Sequence, residues 1–93
     1  MVNISFDPRK NDRNIRDRQL SFESAADFDF ESALVHVDTR RDYSEQRYVA
    51  LGYLQDRIHV LCFTETPTGI RVISFRKANA REVKLYANAK AND

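Results

Sequence analysis

Residues 71–90 gather six basic side chains against one acidic side chain, Glu82, in a chain whose net charge is only +1. The basic residues are Arg71, Arg76, Lys77, Arg81, Lys84 and Lys90. Arginine suits phosphate because its planar guanidinium donates two parallel hydrogen bonds and stays protonated. Such a cluster can hold an RNA backbone, or neutralise the charge that develops on a phosphodiester as it is cut. A solvated basic surface is the ordinary alternative.

RNA fits this cluster for a second reason, because it carries its own nucleophile, the ribose 2′-hydroxyl. A ribonuclease that uses this hydroxyl needs orientation, charge stabilisation and proton transfer, and needs neither a metal ion nor a nucleophilic side chain. The same arginines and lysines would also hold RNA without cutting it. Residue types and spacing therefore leave two interpretations open, an RNA-cleaving enzyme and a non-catalytic binding module.

Other chemistries lack the residues that they require. The chain has two glycines, too few for a glycine-rich phosphate loop. His36 and His59 lie in different strand patterns without acidic or cysteine ligands at metal spacing, and we interpret His36 as a partly buried packing residue. The single Cys62 lies in the apolar run VLCF and is interpreted as a buried thiol. We expect no metal site and no cofactor.

The basic cluster must be positioned by a strand and a helix, because RVISFRKANAREVKLY changes from an alternating pattern to a helical one. The whole chain predicts five strands, at 2–6, 33–38, 47–54, 57–65 and 70–77. It also predicts three helices, which begin after Asp7-Pro8, at Ser21 and at Asn79. The order β-α-α-β-β-β-β-α indicates an α+β fold, in which two N-terminal helices and one C-terminal helix pack on an antiparallel meander. Residues 1–93 are expected to form one domain.

Alternation predicts which face of the last strand each charge occupies. Arg71 shares its parity with Ile73, Phe75 and Lys77, so we expect Arg76 on the opposite face. Both faces are apolar in the middle of this strand, which predicts a central strand covered on both sides.

Charge is segregated in the first third of the chain as well. Residues 9–18 hold five basic and two acidic side chains, whereas residues 23–31 hold four acidic and no basic ones. The basic first helix is expected to flank RNA or to meet an acidic segment of a protein partner. No apolar run approaches the length of a membrane span, and the start MVNISFDPRK lacks the apolar stretch of a signal peptide. We therefore expect a cytoplasmic protein with no membrane partner.

From about residue 4 to residue 88, the chain resembles the BrnT family of bacterial ribonuclease toxins, whose fold is similar to that of the RelE toxins. The resemblance is carried by FDPRKNDRNIRD, SFESAADF, DYSEQRYVALG and RVISFRKANAREVKLY, in that order and spacing. It implies RNA cleavage, growth inhibition and neutralisation by a cognate antitoxin. It further implies a ribbon-helix-helix antitoxin, a complex of two toxins with two antitoxins, and repression of the promoter by that complex.

The resemblance also implies site residues. Arg47, Arg71, Arg76 and Tyr86 match positions expected to act in catalysis, with the arginines around the scissile phosphate. The residues expected to bind the RNA backbone are Lys77, Arg81 and Lys84. Packing on the helix stripe is an equal alternative for Tyr86. Glu82 has the spacing of a capping-box partner for Asn79 and is left out of the site.

The sequence departs from the family in two segments. Ser5-Phe6-Asp7 stands where the family has a tryptophan motif. Residues 16–20 stand where it has a Lys-His-Gly run. Without this glycine, the turn after the first helix is expected to be built differently, and without this histidine an acid–base candidate is lost. These departures keep a decayed, non-catalytic toxin among the alternatives.

Overall fold

The computed structural model describes residues 3–92, and its elements follow the predicted order. The strands are β1 (Asn3–Phe6), β2 (Leu34–Val37), β3 (Tyr48–Leu54), β4 (Arg57–Thr66) and β5 (Gly69–Lys77). The helices are α1 (Pro8–Arg18), a 3₁₀ helix (Phe22–Asp27) and α2 (Ala80–Ala91). The predicted start of β1 at Val2 lies outside the described residues. No helix among residues 3–92 is long and apolar enough to cross a membrane.

The strands form one mixed sheet in the order β1-β5-β4-β3-β2. Strands β2, β3, β4 and β5 each pair antiparallel with the next, which confirms the predicted meander. Strand β1 pairs with β5 in parallel, so β5 is an interior strand as expected. Gly69 permits this pairing, because a Cβ atom at that position would clash with the backbone of Asn3.

Strand β5 contains a bulge that changes which way its charges point. Val72 lies opposite Phe63 and Ser74 lies opposite Cys62, so Ile73 is an additional residue between two registered pairs. Side chains opposite each other share a face, and the bulge therefore brings Arg71 and Arg76 to the same face. The predicted placement on opposite faces is wrong, because the alternation on which it depended is interrupted at Ile73.

One face of the sheet, the packed face, carries the larger core. Its fully buried centre includes Leu61, Val72 and Phe75. The second predicted helix covers this face as a 3₁₀ helix, with Ser21 as its N-cap as predicted. Its apolar residues recur every three positions, at Phe22, Ala25 and the following Phe28, and all three are buried. A period of three residues per turn places them on a single line, which an α-helix would not do.

The other face, the open face, is covered only at one end. There α2 packs Tyr86 against Leu51, Ile58 and Val60. Beyond α2, the open face presents residues that are mostly exposed or half-buried: Ser5, His36, Val49, Cys62, Thr64, Arg71, Ser74 and Arg76. Cys62 is thus half-buried rather than buried. The open face is the surface on which a polar ligand can lie against the sheet.

Helix α1 covers the part of β5 that β1 does not reach. Pairing with β1 stops at Val72, and Asn14 of α1 donates its side-chain N–H to the carbonyl oxygen of Phe75 at 2.9 Å. Helix α1 ends at Gln19, which adopts a left-handed conformation (φ 53°, ψ 38°). Gln19 thus adopts the conformation that glycine favours at the end of a helix.

Candidate functional site

Arg76 and Glu82 form a two-pronged ion pair at the corner between β5 and α2. Arg76 Nη1 donates to Glu82 Oε1 at 2.8 Å, and Nη2 donates to Oε2 at 2.9 Å. Glu82 Oε1 also accepts the backbone N–H of Asn79, which completes the predicted capping box. The Arg76 guanidinium lowers the pKa of Glu82 to about 2, and the carboxylate in turn raises the pKa of Arg76.

This ion pair leaves part of the Arg76 guanidinium available. Glu82 accepts hydrogen bonds from the two terminal nitrogens of the guanidinium, Nη1 and Nη2. The carbonyl oxygen of Lys77 accepts a longer hydrogen bond from Nη1 at 3.3 Å. An arginine side chain has five N–H donors. Nε–H and the second Nη2–H of Arg76 have no partner among residues 3–92, and these two donors form the side of the fork. Arg76 can therefore bind a phosphate while Glu82 holds it.

Arg76 lines a groove of about 260 Å³ on the open face, which we call the arginine groove. Its lining residues are His36, Val37, Asp38, Thr39, Arg40, Val49, Val60, Cys62, Arg76 and Glu82. Arg40 brings a second guanidinium to the same groove, near enough for its charge to oppose that of Arg76. Two positive groups at one small concavity are suited to a bound anion.

Arg40 is held by Asp38 as Arg76 is held by Glu82. Arg40 Nε and Nη2 donate to the two oxygens of Asp38 at 2.9 and 2.8 Å, and Tyr43 donates its hydroxyl to the same carboxylate at 3.1 Å. The Asp38 side chain is 4% exposed and that of Arg40 is 74% exposed. Hydrogen bonding to Arg40 lowers the pKa of Asp38 strongly. Sequence reasoning missed Arg40, for which the Asp-x-Arg spacing in a polar loop was the available signal.

His36 also lies at the arginine groove, on edge strand β2 opposite Val49. It is exposed, so the expectation of a partly buried packing residue is wrong. His59 is buried on the packed face, where its Nδ1 lies 2.9 Å from the carbonyl oxygen of Arg57 and its ring packs on Phe75. Within residues 3–92, no three His, Cys, Asp or Glu side chains are grouped to hold a metal ion.

Arg47 lies beside the arginine groove but does not line it. It precedes β3, and its guanidinium lies 4.1 Å from the centre of the Tyr43 ring. It lines a neighbouring hollow of about 480 Å³, to which Asp38 and Thr39 also contribute. Within the described part of the chain, no carboxylate pairs with Arg47, and its buried Nε has no hydrogen-bond partner. Arg47 and Arg76 thus occupy adjacent hollows.

Arg71 lies further along the open face, exposed and opposite Thr64. Thr64 is four residues from Val60, the partner of Arg76, which corresponds to about 13 Å along the strand. The structure therefore places Arg71 and Arg76 on one face without bringing them to one groove.

Tyr86 is buried in the core beneath α2. Its hydroxyl donates to the carbonyl oxygen of Ser32 at 3.1 Å, and its ring meets that of Tyr53 edge to face at 5.6 Å. These contacts favour the packing alternative for Tyr86. The three residues expected to bind the RNA backbone, Lys77, Arg81 and Lys84, are all exposed.

The chain is similar to a known protein family and to a solved structure. The sequence profile of the family described as ribonuclease toxin, BrnT, of type II toxin–antitoxin system matches residues 6–82. The 1.1 Å crystal structure of the Brucella abortus ribonuclease toxin BrnT is similar, with a TM-score of 0.62 and 28% sequence identity, over 85% of this chain and 99% of that one. No match was found among curated protein sequences. The resemblance and the α+β fold expected from the sequence are confirmed, and the chain belongs to the BrnT family of ribonuclease toxins of type II toxin–antitoxin systems.

Proposed function

We propose that this protein is an endoribonuclease toxin that cleaves RNA in the arginine groove without a metal ion. The 2′-hydroxyl attacks the adjacent phosphorus, the bond to the 5′-oxygen breaks, and the products carry a 2′,3′-cyclic phosphate and a 5′-hydroxyl. The observation that carries the proposal is the presence of Arg40, Arg76 and His36 in one groove of a BrnT-family chain.

In this mechanism, the two arginines neutralise charge and the histidine moves a proton. Arg76 presents the side of its fork to the phosphate, and Arg40 presents its Nη1 end, since Asp38 occupies Nε and Nη2. Both groups are held before RNA binds, so little reorganisation is needed as negative charge develops. His36 serves as a general acid–base group on the rim of the groove.

The other arginines named from the sequence act further along the strand of RNA. Arg47 and Arg71 lie outside the arginine groove, and we assign them to phosphates that flank the scissile bond. The backbone contacts of Lys77, Arg81 and Lys84 remain part of the proposal. Tyr86 is left out of the reacting group, because its hydroxyl is already bound to the carbonyl oxygen of Ser32.

The experiment that tests the proposal incubates purified protein with structured RNA in the presence of EDTA. Fragments with a 2′,3′-cyclic phosphate and a 5′-hydroxyl are the expected result, read by end-labelling with and without phosphatase treatment. RNA that is retarded on a gel but stays intact would contradict cleavage and favour the non-catalytic binding module. Fragments that form only without EDTA would contradict metal independence.

Family membership supports a proposed partner as well. We place the protein in the cytoplasm, bound to a ribbon-helix-helix antitoxin in a complex of two toxins and two antitoxins that represses its own promoter. Co-expression with the product of the adjoining gene, followed by light scattering and a promoter gel shift, tests the stoichiometry and the DNA binding. A complex of one toxin with one antitoxin, or one that ignores the promoter, would contradict this part.

A further inference from the structure

Arg76 borders a second hollow, on the side of β5 away from the arginine groove. This hollow has a volume of about 320 Å³ and is lined by Arg18, Leu20, Arg76 and Lys77. Arg76 lines both concavities, so the two are neighbours across a single side chain. We call the second one the helix hollow, because Arg18 comes from the last turn of α1.

Arg18 is held towards the helix hollow by a buried residue. Asn14 is 5% exposed, and its Oδ1 accepts a hydrogen bond from Arg18 Nη1 at 2.7 Å. Asn14 Nδ2 donates to the carbonyl oxygens of Phe75 and Leu20, at 2.9 and 3.0 Å. Two carbonyls can only accept, so they fix the orientation of the amide and leave its oxygen for Arg18. The hydrogen bonds of Asn14 therefore fix the position of the Arg18 guanidinium.

The charges around the helix hollow are positive. None of its four lining residues is acidic, and Glu82, which lies at the arginine groove, is bound to Arg76. The basic surface continues into another concavity beside α1. There Lys10 and Arg13 lie near Ser74 and a single acidic residue, Asp17. Three guanidinium or ammonium groups within one hollow are suited to a phosphodiester.

We propose that the helix hollow is a second phosphodiester-binding subsite for single-stranded RNA. A strand whose scissile phosphate lies in the arginine groove continues past Arg76, and Arg18 and Lys77 bind a neighbouring phosphate. This inference rests on the proposed function, since it takes RNA as the substrate, but it concerns binding and not the cleaved bond. Asn14 is a positioning residue that acts through Arg18.

The test compares Arg18→Gln with Arg16→Gln, which removes the same charge from an exposed position of the same helix turn. Both variants are titrated with an eight-nucleotide 2′-deoxy analogue, which binds but cannot be cut, over a range of salt concentrations. Arg18→Gln is expected to weaken binding roughly tenfold. It is also expected to reduce the slope of log K against log salt by about 0.7. Arg16→Gln is expected to keep the wild-type slope.

Substrate length separates this subsite from the cleavage reaction. A dinucleotide reaches only the arginine groove, so Arg18→Gln should cut it at the wild-type rate, whereas a longer RNA should show a raised KM with kcat unchanged.

Equal slopes for Arg18→Gln and Arg16→Gln, or equal KM values on the longer RNA, would overturn the subsite. If only binding to the antitoxin weakens, the hollow is a protein contact and the RNA subsite is again overturned. Wild-type protein that binds RNA with the expected slopes but never cuts it would refute cleavage and leave the subsite standing.

Discussion

Glu82 holds Arg76 through both carboxylate oxygens while one of those oxygens caps helix α2. The distances are 2.8 and 2.9 Å to the guanidinium and 2.9 Å to the backbone nitrogen of Asn79. The corner between β5 and α2 is therefore tied to the orientation of Arg76. Glu82 leaves the Nε side of the guanidinium open, and in the proposed mechanism this side binds the phosphate.

The stability that Glu82 contributes is expected to depend on pH. Its pKa falls from 4.5 to about 2 in the folded protein, so the contribution is complete above pH 4.5 and is lost as the pH falls towards 2. Without screening, this difference would be worth about 3 kcal/mol. The side chain of Arg76 is 37% exposed, and we expect about 1–2 kcal/mol.

Urea unfolding of wild type and Glu82→Gln at pH 7, 4 and 3 measures this contribution. Glutamine keeps an oxygen that can accept the Asn79 N–H, so the comparison isolates the charge. The difference in free energy of unfolding should be largest at pH 7, smaller at pH 4 and smaller still at pH 3, because the contribution is lost only below about pH 4.5. A difference that stays constant would show that the carboxylate charge adds nothing.

Arg76→Ala should lower the rate of RNA cleavage by roughly a hundredfold or more, because one preorganised donor to the developing charge is removed. The rate is measured in single turnover with saturating protein. Arg57→Ala is the matched control, since Arg57 is exposed at the start of β4 and lines none of the four concavities described above. Equal rates for the two variants would exclude Arg76 from the reaction.

Asp38 and Arg40 should behave as one unit in cleavage. Each single substitution, Asp38→Asn and Arg40→Ala, is expected to lower the rate roughly tenfold, since Asp38 acts by orienting Arg40. The double variant should fall no further than the worse single variant, because contacting residues are not additive. Independent, multiplicative losses would show that Asp38 does not work through Arg40. Circular dichroism of each variant tests whether the loop change leaves the fold intact.

His36→Gln should reduce kcat by roughly a hundredfold, the usual contribution of a positioned general acid–base group. His59→Gln changes the other histidine, which is buried on the packed face away from the groove. It should keep the wild-type kcat, even if its thermal stability falls. A wild-type kcat for His36→Gln would assign proton transfer to another group.

Gln19→Gly should stabilise the protein by about 0.5–1 kcal/mol. A left-handed conformation costs a residue with a side chain about 1–2 kcal/mol, and glycine avoids this cost while losing more entropy on folding. Gln19 Nε2 donates a long hydrogen bond of 3.3 Å to the Arg16 carbonyl oxygen, and its removal should cost little. Arg16→Gly, inside the same helix turn, should instead destabilise the protein by about 0.5–1 kcal/mol. Chemical denaturation of both variants measures whether each substitution raises or lowers the free energy of unfolding.

Local rules were sufficient for most of the fold. Asp7-Pro8 and Asn79-x-x-Glu82 are local sequence signals for the start of a helix. The two short turns between β3, β4 and β5 define the meander. The pairing of β1 with β5 depends on contacts between residues 65 or more positions apart, which no local pattern contains. The bulge at Ile73 is also a non-local feature, since it can be recognised only from the pairing of β5 with β4.

The candidate site was less predictable than the fold. Arg76 could be found because it closes a strand before a capped helix. Arg40 and Arg18 were harder to single out, because each becomes significant through a buried partner, Asp38 or Asn14, whose burial is a property of the packed molecule. Arg47 illustrates the opposite case. The family resemblance implied that Arg47 and Arg76 surround one phosphate, but the Arg47 guanidinium packs on the Tyr43 ring at the adjacent hollow.

The parallel pairing of β1 with β5 has a consequence for synthesis. A ribosome that makes this chain completes β1 at Phe6, but the neighbour of β1 begins at Gly69, and Glu82 follows later still. Closing so long a loop is slow, and it cannot begin while the distant strand is unmade. The arginine groove therefore cannot assemble before Glu82 has been made, and the order of translation itself delays the moment at which the proposed activity can begin.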